Sequence, residues 1–299
     1  MVRVLAVATL VSTYLLLVLG STVRVTDSGM GCQGWPLCSG QAGPIDNFHP
    51  LIEQSHRLLA TLVTLLIVAL VVVVLRSGES SRHVRGPALT SAAIIVVQIV
   101  LGAVTVFTTN APWTVALHLL VAALFFAVVT VTAVASFIGA ERTWSLRRGA
   151  RPLGWAAVGA LWVIVTSGSL VVNGGAQTAC RSWPLCPSST ATFGRVAIQM
   201  AHRSLVLVGS VLVVWFLIGL RRTSRDRVVR RLAASALMLL ALQVVAGAIS
   251  ALDGARAGAA DVHLAIASAL WCVVIAVFAR SAVGDEAARC SPAHADVTG

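Results

Sequence analysis

The 299-residue chain has no lysine, and charged side chains make up only 11% of it. An average soluble domain is about 25% charged. That shortage excludes an ordinary water-soluble globule. It fits the hydrophobic share of 58% and the mean hydropathy of +0.90, and the chain reads as an integral membrane protein. With lysine absent, the net charge of +11 comes from arginine. A basic balance can signal nucleic acid, but these arginines cluster in short linkers between apolar runs. Membrane topology is the better account, and no nucleic-acid partner is expected. No span carries a central charge, which argues against a transporter built from parallel repeats. No small-x-small cleavage site follows the first apolar run, so it is expected to be a retained helix.

Eight stretches are long and apolar enough to cross a bilayer: 2–22, 51–75, 88–108, 114–138, 153–172, 195–219, 232–252 and 260–281. Arginines fill the linkers after the second, fourth and sixth: Arg76, Arg82 and Arg85, then Arg142, Arg147, Arg148 and Arg151, then Arg221, Arg222, Arg225, Arg227, Arg230 and Arg231. By the positive-inside rule these linkers and both termini lie on the cytoplasmic side of the cell membrane. Two long loops, about 23–50 and 173–194, then face outward.

Those outer loops hold one heptad twice, CQGWPLC at 32–38 and CRSWPLC at 180–186. In an oxidising exterior, Cys32–Cys38 and Cys180–Cys186 are expected disulfides. A metal-binding or reactive thiol pair is the alternative, although CxxC spacing would suit it better. Cys272 reads as a small buried apolar residue and Cys290 as a reduced thiol in the tail.

The repeat runs through the chain. Gly20-Ser21 matches Gly168-Ser169, His56-Arg57 matches His202-Arg203, VQIVLGAVTV (97–106) matches LQVVAGAISA (242–251), and His118 matches His263. The offset slips only from 148 to 145. Each half is therefore four helices, and the fold class is an all-α polytopic membrane protein of two tandem, pseudo-twofold four-helix bundles. The divisions expected are 1–140, a cytoplasmic linker 141–152, 153–281, and a cytoplasmic tail 282–299.

Of seven histidines, His49, His83 and His294 read as solvated loop or tail residues. The other four lie one each in the even-numbered spans, about 5–11 Å from their outer ends by helical rise. Ionisable groups inside spans are costly and usually functional. Two imidazoles facing across a four-helix bundle suit heme with two axial ligands. Zinc would want three or four ligands. The plainer alternative is that each histidine hydrogen-bonds nearby backbone. Gly102 and Gly247 leave room for a ring or for close helix approach. Arg57 and Arg203 are candidate partners of heme propionates, or else side chains reaching the interface.

The halves differ at one telling position. LIEQSHR places Glu53 one helical turn before His56, and AIQMAHR places Gln199 there instead. A carboxylate beside an iron-bound substrate can move protons or stabilise a developing cation, so chemistry is expected in the first half and electron transfer in the second. The alternative leaves Glu53 at the membrane surface, in the first turn of its helix.

With eight spans, Glu53-x-x-His56-Arg57 and STVRVTDSGMGCQGWPLC at 21–38, residues 2–281 resemble the bacterial heme A synthases. The resemblance implies an oxidoreductase that converts heme O to heme A for terminal oxidases. One porphyrin methyl becomes a formyl group by two hydroxylations and loss of water. It implies His56 and His118 flanking substrate heme O, His202 and His263 ligating a resident heme b, and Glu53 as the catalytic glutamate needed for activity. Heme O synthase, cytochrome oxidase assembly factors and a quinone acceptor are the implied partners, besides the lipid bilayer. A di-heme b-type quinol electron carrier is the alternative; it would need four histidines but no acid at one heme.

Overall fold

The computed structural model describes residues 1–32, 34–38, 40, 46–78, 82–139, 142–144 and 152–284. Arg147, Arg148, Arg151, Cys290, His294, the tail 285–299 and most of the 141–152 linker lie outside the described residues. Eight helices occur among them, each long and apolar enough to cross a membrane: α1 (Val2–Val25), α2 (Phe48–Arg76), α3 (Arg82–Phe107), α4 (Pro112–Ala135), α5 (Pro152–Asn173), α6 (Phe193–Thr223), α7 (Arg227–Leu252) and α8 (Ala257–Ser281). A two-residue antiparallel bridge, β1 (Thr143–Trp144) with β2 (Val283–Gly284), joins the segment after α4 to the end of α8.

Several helices outrun their apolar stretches. α7 starts at Arg227 because Asp226 caps it, its carboxylate accepting from Val228 N–H at 2.8 Å. α4 and α5 each start on a proline, which is pre-set for a first helical turn and needs no donor there. Inside the spans, hydroxyls bond back to the carbonyl four residues earlier, as Thr9 does to Leu5, Thr64 to Ala60 and Thr130 to Phe126. That keeps them satisfied where water is absent. Large apolar side chains such as Leu65, Val100, Val208 and Trp215 face outward, as a lipid-facing belt requires.

Within each half the helices pack in a ring, α1–α2–α3–α4 and α5–α6–α7–α8. The halves meet through α1 and α4 on one side and α5 and α8 on the other. α1 packs on α8 as α5 packs on α4, and α4 packs on its counterpart α8, as a pseudo-twofold demands. The largest buried cluster sits at this seam, with Phe126 of α4 among Leu161, Leu217, Trp271 and Val274.

A finer repeat lies inside each half. The odd-numbered helices all end in the same left-handed turn, with positive φ at Asp27, Thr109, Gly175 and Gly254. The next N–H then reaches back five residues: Ser28 to Val23, Asn110 to Thr105, Ala176 to Val171 and Ala255 to Ser250, at 2.7–2.9 Å. This is the Schellman closure. Gly20, Gly102, Gly168 and Gly247 each stand five residues before the end of their helix. The chain is thus four copies of one helical hairpin.

Candidate functional site

The four hairpins place four histidines at one level. The even-numbered helices start at the heptad end, and His56, His118, His202 and His263 follow their first residues by eight, six, nine and six positions. At the rise of an α-helix they sit about 9–14 Å below that end. This is deeper than the sequence alone implied, because α2, α4, α6 and α8 each begin two or three residues early. His56 on α2 and His118 on α4 belong to the first helix ring, and His202 on α6 and His263 on α8 to the second.

Each histidine leans on the glycine of the helix before it. A Cβ at Gly20 would stand 3.0 Å from Cε1 of His56, and one at Gly247 would stand 2.9 Å from Cε1 of His263. At Gly102 and Gly168 the corresponding distances to His118 and His202 are 3.6 and 3.5 Å. Gly20 and Gly247 therefore leave space that the His56 and His263 rings occupy, whereas Gly102 and Gly168 have room for a methyl.

The rings have unequal partners. Nδ1 of His56 and Nδ1 of His118 are buried with no hydrogen-bond partner. In the second half, His202 Nδ1 lies 2.7 Å from Ser167 Oγ. Gln243 Nε2 lies 3.2 Å from Nδ1 and 3.3 Å from Nε2 of His263. Its counterpart Gln98 donates instead to the backbone carbonyl of His118. Among the described residues no cluster of three or more His, Cys, Asp or Glu side chains could hold a bare ion. A macrocycle that supplies four nitrogens of its own needs only two further ligands, and each half carries two histidines in its spans.

Glu53 is 4% exposed, so it is not a surface residue. Its Oε2 accepts from Cys32 N–H at 2.8 Å, and its Oε1 pairs with Arg57 Nη2 at 2.5 Å. Arg57 Nη1 also donates to the carbonyls of Gly34, Pro36 and Leu37 at 2.9–3.3 Å. Helix α2 thereby grips the loop closed by the Cys32–Cys38 disulfide (S–S 2.02 Å). The second copy is also disulfide-bonded, Cys180–Cys186 (S–S 2.03 Å), and Arg203 grips the matching carbonyls of Pro184 and Leu185. With Gln199 where the first half has Glu53, its Nη2 donates to the Cys180 carbonyl. Gln199 only donates to Gln177 O, at 3.3 Å, and its own Oε1 has no partner. Both guanidiniums are loop clamps, a role the sequence reading did not weigh beside propionate pairing.

Of the two other described histidines, His49 is exposed, as expected, and His83 is half-buried. His49 lies in the first turn of α2, with Nδ1 3.0 Å from Ser28 Oγ. His83 opens α3, edge-on to Trp144 and 3.0 Å from Arg142 O. Both were placed in loops because their turns are too polar to extend the apolar run. Sequence reasoning also missed Ser167 and Asp261. Asp261 of α8 accepts from Ser21 at 2.5 Å and Thr22 at 3.1 Å across the seam. Their signal was available: residue 19, the match of Ser167, is Leu, and residue 116, the match of Asp261, is Ala.

A family-wide sequence profile, COX15-CtaA, described as cytochrome oxidase assembly protein, matches residues 3–275. A heme A synthase of Exiguobacterium sp. is 30% identical over 243 residues, which is 80% of each chain. One from Symbiobacterium thermophilum is 30% identical over 266 residues, 85% of this chain and 87% of that protein. One from Geobacillus thermodenitrificans is 31% identical over 232 residues, 74% and 71% of the two chains. With nearly all of its eight-helix core matched, the chain belongs to the COX15-CtaA family of cytochrome oxidase assembly proteins.

Proposed function

We infer that this chain is a heme A synthase, a membrane oxidoreductase that oxidises a porphyrin methyl group of heme O to the formyl group of heme A. The family match and the similar heme A synthases support the reaction, and nothing in them favours the simple electron-carrier alternative. The site assignment is carried by one observation: a buried carboxylate, Glu53, beside the first histidine pair, where the second pair has the neutral Gln199.

The first bundle, 1–140, then takes the substrate heme, with His56 and His118 flanking it. The second bundle, 153–281, holds heme b through His202 and His263. The bound macrocycle supplies the redox chemistry. The protein's own residues position and polarise. Glu53 stands one turn from His56, where its carboxylate would stabilise a developing cation at the methyl carbon or accept a proton from attacking water. Arg57 pairs with that carboxylate and ties α2 to the disulfide loop, which would shield a bound substrate from bulk water. Arg57 and Arg203 also bring positive charge next to ligand histidines, where heme propionates would meet it. The heptad loops lie on the outer face and both termini in the cytoplasm, by the distribution of arginine. Heme O synthase and oxidase assembly factors are natural neighbours for the substrate and product, and a quinone is the proposed electron acceptor.

The test is to purify the wild type and Glu53→Gln from cells that make heme O and to identify the extracted hemes by chromatography and mass. Wild type should carry heme A or its hydroxylated precursor; Glu53→Gln should retain heme b and lose heme A by about 100-fold or more. Heme b alone in both proteins, despite abundant heme O, would defeat the synthase reading.

A further inference from the structure

We propose that Ser167 is a positioning residue that sets the proton and the rotation of the His202 ring, preparing His202 as a permanent iron ligand in a way that neither histidine of the first half is prepared. The inference rests on the reading that the second half holds the resident heme.

The direction of the hydrogen bond follows from counting protons. Ser167 Oγ lies 2.7 Å from His202 Nδ1 and donates to Ile164 O at 2.8 Å. A carbonyl only accepts, and a hydroxyl has one proton to give. The Ser167 proton therefore goes to Ile164, and the Ser167 lone pair accepts from Nδ1–H of His202. A neutral imidazole protonated at Nδ1 keeps its lone pair on Nε2, the nitrogen left to bind iron. Gly168, the next residue, meets Cε1 of the same ring at ordinary contact distance, 3.5 Å, so one turn of α5 fixes both the tilt and the proton.

The first half lacks this device. Residue 19, matched to Ser167, is Leu, and Nδ1 of both His56 and His118 is buried without a partner. An acceptor for the ring nitrogen that faces away from iron raises the basicity of a ligating imidazole and holds its orientation. The more basic ligand favours ferric iron, so Ser167 lowers the potential of the second-half heme and slows its loss. Unlocked rings suit a macrocycle that has to arrive, react and leave.

The experiment uses the full-length protein purified with its resident heme, as wild type, Ser167→Ala, Ser167→Thr and His202→Ala. Three readouts are taken: the potential of the low-spin heme by spectroelectrochemical titration, its EPR g values, and its rate of transfer to an apo-globin acceptor. Ser167→Ala should move the potential positive; a tenfold loss of ferric over ferrous preference is about 59 mV. It should also speed transfer by roughly tenfold or more. Ser167→Thr, which keeps the hydroxyl, should restore both. An unchanged potential in Ser167→Ala, or faster transfer that Thr does not correct, overturns the proposal while leaving the resident-heme reading intact. Heme b that persists at full occupancy in His202→Ala, identified by extraction and mass, overturns that reading and the proposal with it.

Discussion

An alanine at Gly247 would put a methyl 2.9 Å from Cε1 of His263, and one at Gly20 would put it 3.0 Å from Cε1 of His56. Packed rings cannot yield that distance without turning, and overpacking of this kind costs about 1–3 kcal/mol. The same change at Gly102 or Gly168 meets its ring at 3.6 or 3.5 Å, which is ordinary contact. Gly247→Ala should therefore release heme from the second half about 10–100-fold more readily, while Gly168→Ala in the same half retains it. Heme content after purification and dilution measures this; equal loss from both variants would mean that the glycines serve helix approach and not ring placement. The four ligand candidates were legible because ionisable groups stand out in apolar spans. Their glycine supports were seen as repeats, yet not as partners of the histidines. Contact between a residue five positions before a turn and one several positions after it depends on how the turn closes. Ser167 was legible only as a difference from Leu19, and its meaning needed the distance to His202.

At the scale of helix and loop, Glu53 and Arg57 are a buried couple, 5% and 12% exposed in their side chains, that ties α2 to the disulfide loop. Removing one member of a buried pair leaves the other charge uncompensated, at about 3–5 kcal/mol. Arg57→Ala should thus destabilise the protein more than Arg203→Ala, which strands only carbonyls beside a neutral Gln199. Most of the Arg57→Ala loss should vanish when Glu53→Gln is added. Thermal unfolding in detergent, read as a double-mutant cycle, supplies the comparison; equal losses at Arg57 and Arg203 would deny Glu53 its structural share. The eight spans were legible from hydropathy alone, and their ends differ from expectation by a few residues. Those ends are set by polar devices that hydropathy does not weigh: Asp226 capping α7, prolines opening α4 and α5, and Schellman turns closing α1, α3, α5 and α7. The clamp was hidden because it joins residues about 20 apart through backbone carbonyls, which carry no sequence signature.

For the whole molecule, the duplication seen in CxxWPLC proves to be the outer of two nested repeats, and the halves it relates are tightly joined. Trp271 of α8 donates to the Ala123 carbonyl of α4 at 2.9 Å inside the buried seam. Tyr14 of α1 reaches Ala265 O of α8 at 3.3 Å. Asp261 receives Ser21 and Thr22, immediately after the glycine that supports His56 and two residues before His263. The seam therefore connects the two histidine pairs through the Asp261 carboxylate, which the first half replaces with Ala116. If the seam holds the halves together and the linker merely connects them, residues 1–144 and 152–299 produced as separate chains in one cell should copurify at equal stoichiometry. Asp261→Ala removes a charged acceptor from two hydroxyls, a change of about 1.5–3 kcal/mol for each bond. It should cut the recovered first-half partner by roughly tenfold or more, whereas Leu242→Ala on the outward face of α7 should not change it. Halves that separate with Asp261 intact would make the linker, and not the seam, the element that keeps one bundle beside the other.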